Sequence, residues 1–302
     1  MQEALSKNSN RSGFTLIELS IVLVIIGLIV GGVLVGQDLI RAAGVRAQIS
    51  QIEKFNTAVN TFYGKYQALP GDMNGTTATV NGFNTSGRDT GGGTGDGNGL
   101  IEGNGGSNGG GGIQGDGETG MFWSDLTYAN GMNLNLVEGS FTTACEGLCT
   151  HIIVMISTTP NIDNYLPRAK IGRGNYIYAL STLGLNYYAL TTLIWIHGTS
   201  GGQVPVNATP GLTVNEAYKI DSKIDDGFPQ SGNVTAQMQS GYWGESGSAS
   251  TAMPWVGTAD TSATSPGDTT CYDNGGVTAP QHYSTAWKNG NGLNCALLFK
   301  FQ

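Results

Sequence analysis

Residues 19–36 carry no charged side chain. As a helix, at about 1.5 Å per residue, such a run rises roughly 27 Å, close to one hydrocarbon thickness. One carboxylate, Glu18, stands at its head. An ionisable group beside a membrane-length apolar segment is costly without a partner, which marks Glu18 as a functional candidate. The stretch before it, residues 1–12, is short and polar, with Lys7 and Arg11 against Glu3. A basic leader suits a secretory signal peptide, but the apolar run is too long for one and no small-residue cleavage site follows it.

Gly13-Phe14-Thr15-Leu16-Ile17-Glu18-Leu19, after a basic leader and before an apolar helix, resembles the class III signal of type IV prepilins and type II secretion pseudopilins. The resemblance implies cleavage after Gly13 by prepilin peptidase on the cytoplasmic side and methylation of the new N-terminus at Phe14. Glu18 matches the family's glutamate, which neutralises the free amine of a neighbouring subunit during assembly. The fold implied is α+β: a long N-terminal helix, half membrane-spanning and half amphipathic, packed on a C-terminal antiparallel β-sheet head. The expected divisions are a leader at 1–13, the membrane and assembly half of the helix at 14–37 and its amphipathic half at 38–69. A Gly-rich variable loop at 70–120 and a globular head at 121–302 complete the chain. The family's helix-breaking proline is missing, with Val33, Leu34 and Val35 in its neighbourhood.

The periodicity supports the long helix independently. Val45, Ile49, Ile52, Phe55, Val59, Phe62 and Tyr66 recur at steps of three and four, while Arg46, Gln48, Gln51, Glu53, Asn56 and Asn60 fall on other faces. Pro70-Gly71-Asp72 marks the helix end. Within the membrane half, Gly27 with Gly31 and Gly32 with Gly36 are small-x3-small spacings that let helices approach closely. From 86 to 120 Gly dominates, with Asn, Thr, Ser and Asp. That composition buries too little apolar surface to offset its ordering entropy and predicts a long, flexible surface loop. A short helix at 121–126, strands at 152–157, 175–181, 187–197 and 295–301, and a helix at 214–224 are expected beyond it.

Four cysteines, Cys145, Cys149, Cys271 and Cys295, lie past the membrane run. In an exported head they favour disulfides over a metal site. Three pairings are open, and Cys145–Cys149 with Cys271–Cys295 is favoured because each closes a local loop. Asp96, Asn98 and Glu102, with Asp89 before and Asp116 and Glu118 after, resemble fragments of a calcium loop without its Asp-rich core; a solvated acidic loop is the preferred reading, and no cofactor is expected. The net charge of −8 argues against a general nucleic-acid surface. His151, His197 and His282 are scattered, no nucleophile motif is present, and the Gly-rich runs lack the Lys-Ser/Thr of a phosphate loop. The aromatics Tyr176, Tyr178, Tyr187, Tyr188 and Trp195 are read as core, and Asp225 and Asp226 as a solvated turn.

These features predict a structural subunit of a type IV pilus or pilus-like filament rather than an enzyme. Its expected partners are copies of itself or other pilins, prepilin peptidase, an inner-membrane assembly platform and, before assembly, the membrane. Its expected location is the bacterial inner membrane, single-pass with the head periplasmic, then an extracellular pilus or a periplasm-spanning pseudopilus. The alternatives are a type II secretion pseudopilin, a minor tip pilin for adhesion or DNA uptake, and a membrane-anchored exported binding protein or enzyme.

Overall fold

A computed structural model describes residues 15–85, 88, 95–102, 117–129, 132–134, 136–141, 159–182, 184–196, 206–236, 267, 270–275 and 280–301. The chain divides into two compact units, residues 1–44 and 45–302.

Helix α1, Leu16–Tyr66, runs unbroken for 51 residues. Gly27, Gly31, Gly32 and Gly36 remain helical within it, with open space around each. In the first unit its apolar side chains stand uncovered: Leu16 is 88 % exposed, Leu28 79 % and Ile40 74 %. In the second unit Val45, Ile52, Phe55, Ala58, Val59 and Phe62 are buried, and Ile49 and Tyr66 pack beside them. Gln48 and Gln51, assigned by sequence to the polar side, are buried instead. They are placed there by the backbone they satisfy. Gln51 Nε2 donates to the Arg168 carbonyl at 2.9 Å and its Oε1 accepts from Lys170 N at 2.9 Å. Gln48 Oε1 accepts from Ile171 N at 3.2 Å. The turn at 168–171, bridged to Tyr176 through Arg168, thus finds the partners for its remaining backbone groups on the helix, as buried backbone must.

The head is an antiparallel sheet. Strand β1 (Asn175–Thr182) and β2 (Leu185–Ile196) form a hairpin in register from Asn175 opposite Thr192 to Thr182 opposite Leu185. Strand β3 (Val206–Thr209) pairs with the far part of β2. Strand β4 (Val234–Thr235) pairs with β5 (Leu297–Lys300), which lies against β2 with Leu297 opposite Leu190. β-branched and aromatic residues crowd the central strands, as a pleated surface covered on one side favours. Tyr176, Tyr178 and Tyr188 are buried and Tyr187 is half-buried; the side chain of Trp195 and the strand expected at 152–157 lie outside the described residues.

Helix α2 spans Gly75–Asn81, α3 Gly117–Thr127 and α4 Val214–Ile224. In α4, Thr213 and Glu216 form a capping box, satisfying two otherwise orphaned N–H groups. Phe55 of α1, Trp123 of α3 and Tyr188 of β2 meet in one aromatic cluster, with Phe55 and Trp123 edge to face at 4.7 Å.

The described parts of the Gly-rich loop expected over residues 70–120, whose flexible stretch is expected over 86–120, are held by specific contacts. Asn74 caps α2 through its side chain and Gly82 closes it at φ 74°. Phe83 then packs on Phe62 and Tyr66 with ring centroids 5.4 and 4.8 Å away. Ile101 is buried, and residues 95–102 form a strap bound to the sheet. Ser181 N donates to the Ile101 carbonyl at 2.7 Å, while Asn186 accepts from Ile101 N at 2.8 Å and donates to the Gly99 carbonyl at 2.7 Å. Glycine leaves these amides free to reach partners that composition alone does not reveal.

Candidate functional site

The site expected at the N-terminus begins at Gly13 and Phe14, which lie outside the described residues. Thr15, next in the chain, closes the start of α1 with Glu18. Thr15 N donates to Glu18 Oε2 at 2.8 Å, its hydroxyl donates to the same oxygen at 2.9 Å, and Glu18 N donates to Thr15 Oγ1 at 3.3 Å. This reciprocal pattern is a capping box. A carboxylate in the first turn also sits at the positive end of the helix dipole. Glu18 is therefore held in the first turn of α1, among uncovered Leu16, Ile17 and Leu19. Chemically, this places one anion where an apolar helix offers nothing else to bind a cationic amine. The described residues hold one helix long and apolar enough to cross a membrane, and its most apolar stretch is entirely unburied.

Of the weak calcium candidates, the structure brings Asp96 together with Asp72 and Glu118, each offering an oxygen within 4.8 Å of the others. Asn98 and Glu102 stand beside this group, with Asn98 Nδ2 donating to Asp96 at 3.2 Å and to Glu102 at 3.0 Å. The reading of a solvated acidic loop fails for Glu118, which is buried together with Asp72. Asp72 Oδ1 and Oδ2 accept from Gly97 N and Gly99 N, both at 2.8 Å. Glu118 Oε1 accepts from Gly95 N at 2.7 Å and its Oε2 from Glu102 N at 2.9 Å. Two buried carboxylates thus organise the strap through its own amides. Burial, and then each other's charge for Glu118, push both carboxyls above their ordinary range, so the pair retains a proton under conditions where isolated carboxyls have lost theirs. A cation binding here would have to displace those amide donors. Sequence reading took Asp72 only as a turn residue; the alternation of Gly95, Gly97 and Gly99 with polar residues is the signal of amides free to wrap an anion.

Asp221, Asp225 and Asp226 form a second such group; Asp226 is exposed and Asp225 half-buried in the turn expected for them, and both also bond within it. Asp226 accepts from Phe228 N at 2.8 Å and Ser231 Oγ at 2.6 Å, and Asp225 accepts from Asn233 N and Val234 N. These bonds fold the segment that leads from α4 to β4. Asp221, fully buried, accepts from Tyr283 Oη at 2.8 Å, and desolvation pushes its carboxyl up to about 6.

Cys271 and Cys295 form a buried disulfide that ties the segment after residue 270 to the chain entering β5. Cys145, Cys149, His151 and His197 lie outside the described residues. His282 is exposed, with its ring 5.3 Å from that of Phe228.

Residues 8–34 match the family model described as the prokaryotic N-terminal methylation motif. The match takes in Gly13, Phe14, Glu18 and most of the apolar run, and it supports the class III signal of type IV prepilins and pseudopilins. Neither a curated protein nor a solved structure gives a significant match to the chain.

Proposed function

We propose, from the class III signal and the helix behind it, that this chain is a structural subunit of a type IV pilus or pilus-like filament. It is cleaved after Gly13, methylated at Phe14 and polymerised through α1. The observation that carries this is the uncovered apolar surface of residues 16–36, whose one carboxylate, near its start, is Glu18. That surface suits a membrane before assembly and other copies of the same helix afterwards. Water suits it in neither state, since leaving it wet forfeits about 25 cal/mol per Å2 of apolar area. In a filament, the methylated amine of one subunit pairs with Glu18 of the next. This relieves an unpaired charge in an apolar setting and fixes the axial register. For that contact the capping bonds from Thr15 must share or yield a carboxylate oxygen.

Mass spectrometry of the mature N-terminus tests the processing, with N-methylated Phe14 as the expected result; an intact Met1 overturns the proposal. A Glu18→Ala chain should be processed yet fail to assemble, and wild-type filament yield from it would refute the pairing role. The second reading, a type II secretion pseudopilin, shares the same signal. Loss of exoprotein secretion without loss of surface filaments on deletion of this chain selects it.

A further inference from the structure

One dipeptide in the strap has its chemistry already assembled around it. Asn98-Gly99 joins a carboxamide to a backbone nitrogen that has no side chain beside it, with Gly99 at φ 86°. Gly99 N–H donates to Asp72 Oδ2 at 2.8 Å, within reach for proton transfer to a base. Leu100 N–H donates to Asn98 Oδ1 at 2.7 Å, folding the carboxamide back over the following peptide and polarising its carbonyl. The leaving amine, Asn98 Nδ2, lies against Asp96 Oδ2 and Glu102 Oε2 at 3.2 and 3.0 Å. Nucleophile, base and oxyanion donor thus converge on one side chain.

We propose that Asn98-Gly99 is a self-modification site, at which the fold drives conversion of Asn98 to aspartate or isoaspartate through a succinimide. Gly99 N gives its proton to Asp72 and attacks Asn98 Cγ, forming a C–N bond while charge moves to Oδ1, where Leu100 N–H meets it. The intermediate collapses, the Cγ–Nδ2 bond breaks, and the amine leaves as ammonia after receiving a proton returned from Asp72. Water then opens the ring at either carbonyl. One water is consumed, one ammonia released, and no oxidant or cofactor is required.

Other groups around the pair set the base. Asp96 and Glu118 crowd Asp72, Arg88 approaches Gly95 with its side-chain carbons but spends its guanidinium on Asp125, and burial raises the Asp72 carboxyl. A carboxylate with a raised pKa is the stronger base near neutrality. A contrasting pair lies in the same chain. At Asn81-Gly82 the Gly82 N–H is held by the Ala78 and Thr79 carbonyls, which accept no proton, and Asn81 Nδ2 donates to the Thr77 carbonyl. The product at position 98 adds a carboxylate to a group that already holds Asp72, Asp96 and Glu102, and its isoaspartyl form inserts a methylene into the strap.

The test is a time course on the full mature chain in detergent at neutral pH, native and in denaturant, with peptide mapping by mass spectrometry of the NH2-to-OH exchange at Asn98 and Asn81. In the native chain Asn98 should convert at least about tenfold faster than Asn81 and faster than in the denatured chain, a modest share of what a placed base supplies. A native rate at Asn98 equal to or below its denatured rate overturns the proposal. Asp72→Asn should bring Asn98 down to the denatured rate, and an undiminished native rate in that variant overturns the role of Asp72.

Discussion

Arg88 offers the sharpest test of how the head is held together, because its ion pair is buried on both sides. The Arg88 and Asp125 side chains are 0 % and 2 % exposed, with Nη2 at 2.6 and 2.8 Å from the two carboxylate oxygens. Nη1 donates to the Gly71 and Met73 carbonyls at 3.2 and 2.8 Å, and Nε to the Asn84 carbonyl at 2.7 Å. Asp125 Oδ2 in turn accepts from Gly71 N at 2.7 Å. One guanidinium therefore pins the turn after α1, the end of α2 and helix α3 to each other. Asp125→Ala leaves a cation buried without its anion, which costs about 3–5 kcal/mol. At about 2–4 °C per kcal/mol for a unit of this size, the melting midpoint falls by about 6–20 °C. Arg88→Met paired with Asp125→Leu removes both charges, yet strands the Gly71 N–H and three carbonyls, at about 1–3 kcal/mol for each group left dry. The double variant should accordingly be less damaged than the sum of the two single changes without regaining wild-type stability. Denaturant titration of the full chain in detergent, run as a double-mutant cycle, measures this directly. A loss below about 1 kcal/mol for Asp125→Ala, or strict additivity of the two changes, would refute the reasoning.

The buried acids give a pH signature. Asp221 is raised from 3.8 to about 6 by desolvation first, so the native state holds its proton longer than the unfolded chain does. The associated stability is present below about pH 4 and lost as pH rises toward 6, by up to about 3 kcal/mol. Asp72 and Glu118 act in the same direction; melting curves that rise monotonically from pH 4 to neutrality would contradict both groups. Gly71, at φ 87°, would place a Cβ 2.4 Å from the Glu118 carbonyl. Gly71→Ala should therefore cost about 1–3 kcal/mol through backbone strain and the displaced start of α3, read by the same titration. Phe62→Ala, emptying a fully buried site under Tyr66 and Phe83, should cost about 3–5 kcal/mol while leaving N-terminal processing untouched.

What the sequence made legible is what periodicity and covalent order carry. The step of three and four from Val45 to Tyr66 reports a helix whoever its partner is, and the helical spacing at 214–224 matches α4 as the structure has it. Strands β1, β2 and β5 were readable for the same reason, since β-branched and aromatic runs betray a half-covered pleat, whereas β3 and β4 are too short to carry that signal. The failures share a different cause. Gln48 and Gln51 look like a polar face until the turn at 168–171, more than a hundred residues away in sequence, presents its unpaired backbone to them. Arg88 sits in a glycine-rich stretch whose composition argues for disorder, and only Asp125 beyond it makes a buried guanidinium affordable. Asp72 and Glu118 are ordinary acids in the sequence, and their role exists only because Gly95, Gly97 and Gly99 bring amides to them.

The two halves of α1 divide along the same line. In residues 45–66 the apolar face is explained within the chain, because Phe55, Val59 and Phe62 are covered by the head's own side chains. In residues 16–40 an equally apolar surface is covered by nothing among the described residues. A helix that is apolar all round is stable only in a membrane or inside a packed assembly. The local signal at Gly13, Phe14 and Glu18 could therefore be read without any knowledge of the head, whereas the head's buried polar contacts, made between residues far apart in sequence, could not be read from local signal. Subunit assembly and head stability should for that reason separate experimentally. Glu18→Ala should abolish filaments with no change in the denaturant midpoint, because among the described residues the Glu18 side chain bonds to Thr15 and to nothing in the head, while Asp125→Ala should lower the midpoint with N-terminal processing intact. A Glu18→Ala chain whose head unfolds at lower denaturant would show that the two halves are energetically coupled and would defeat this division.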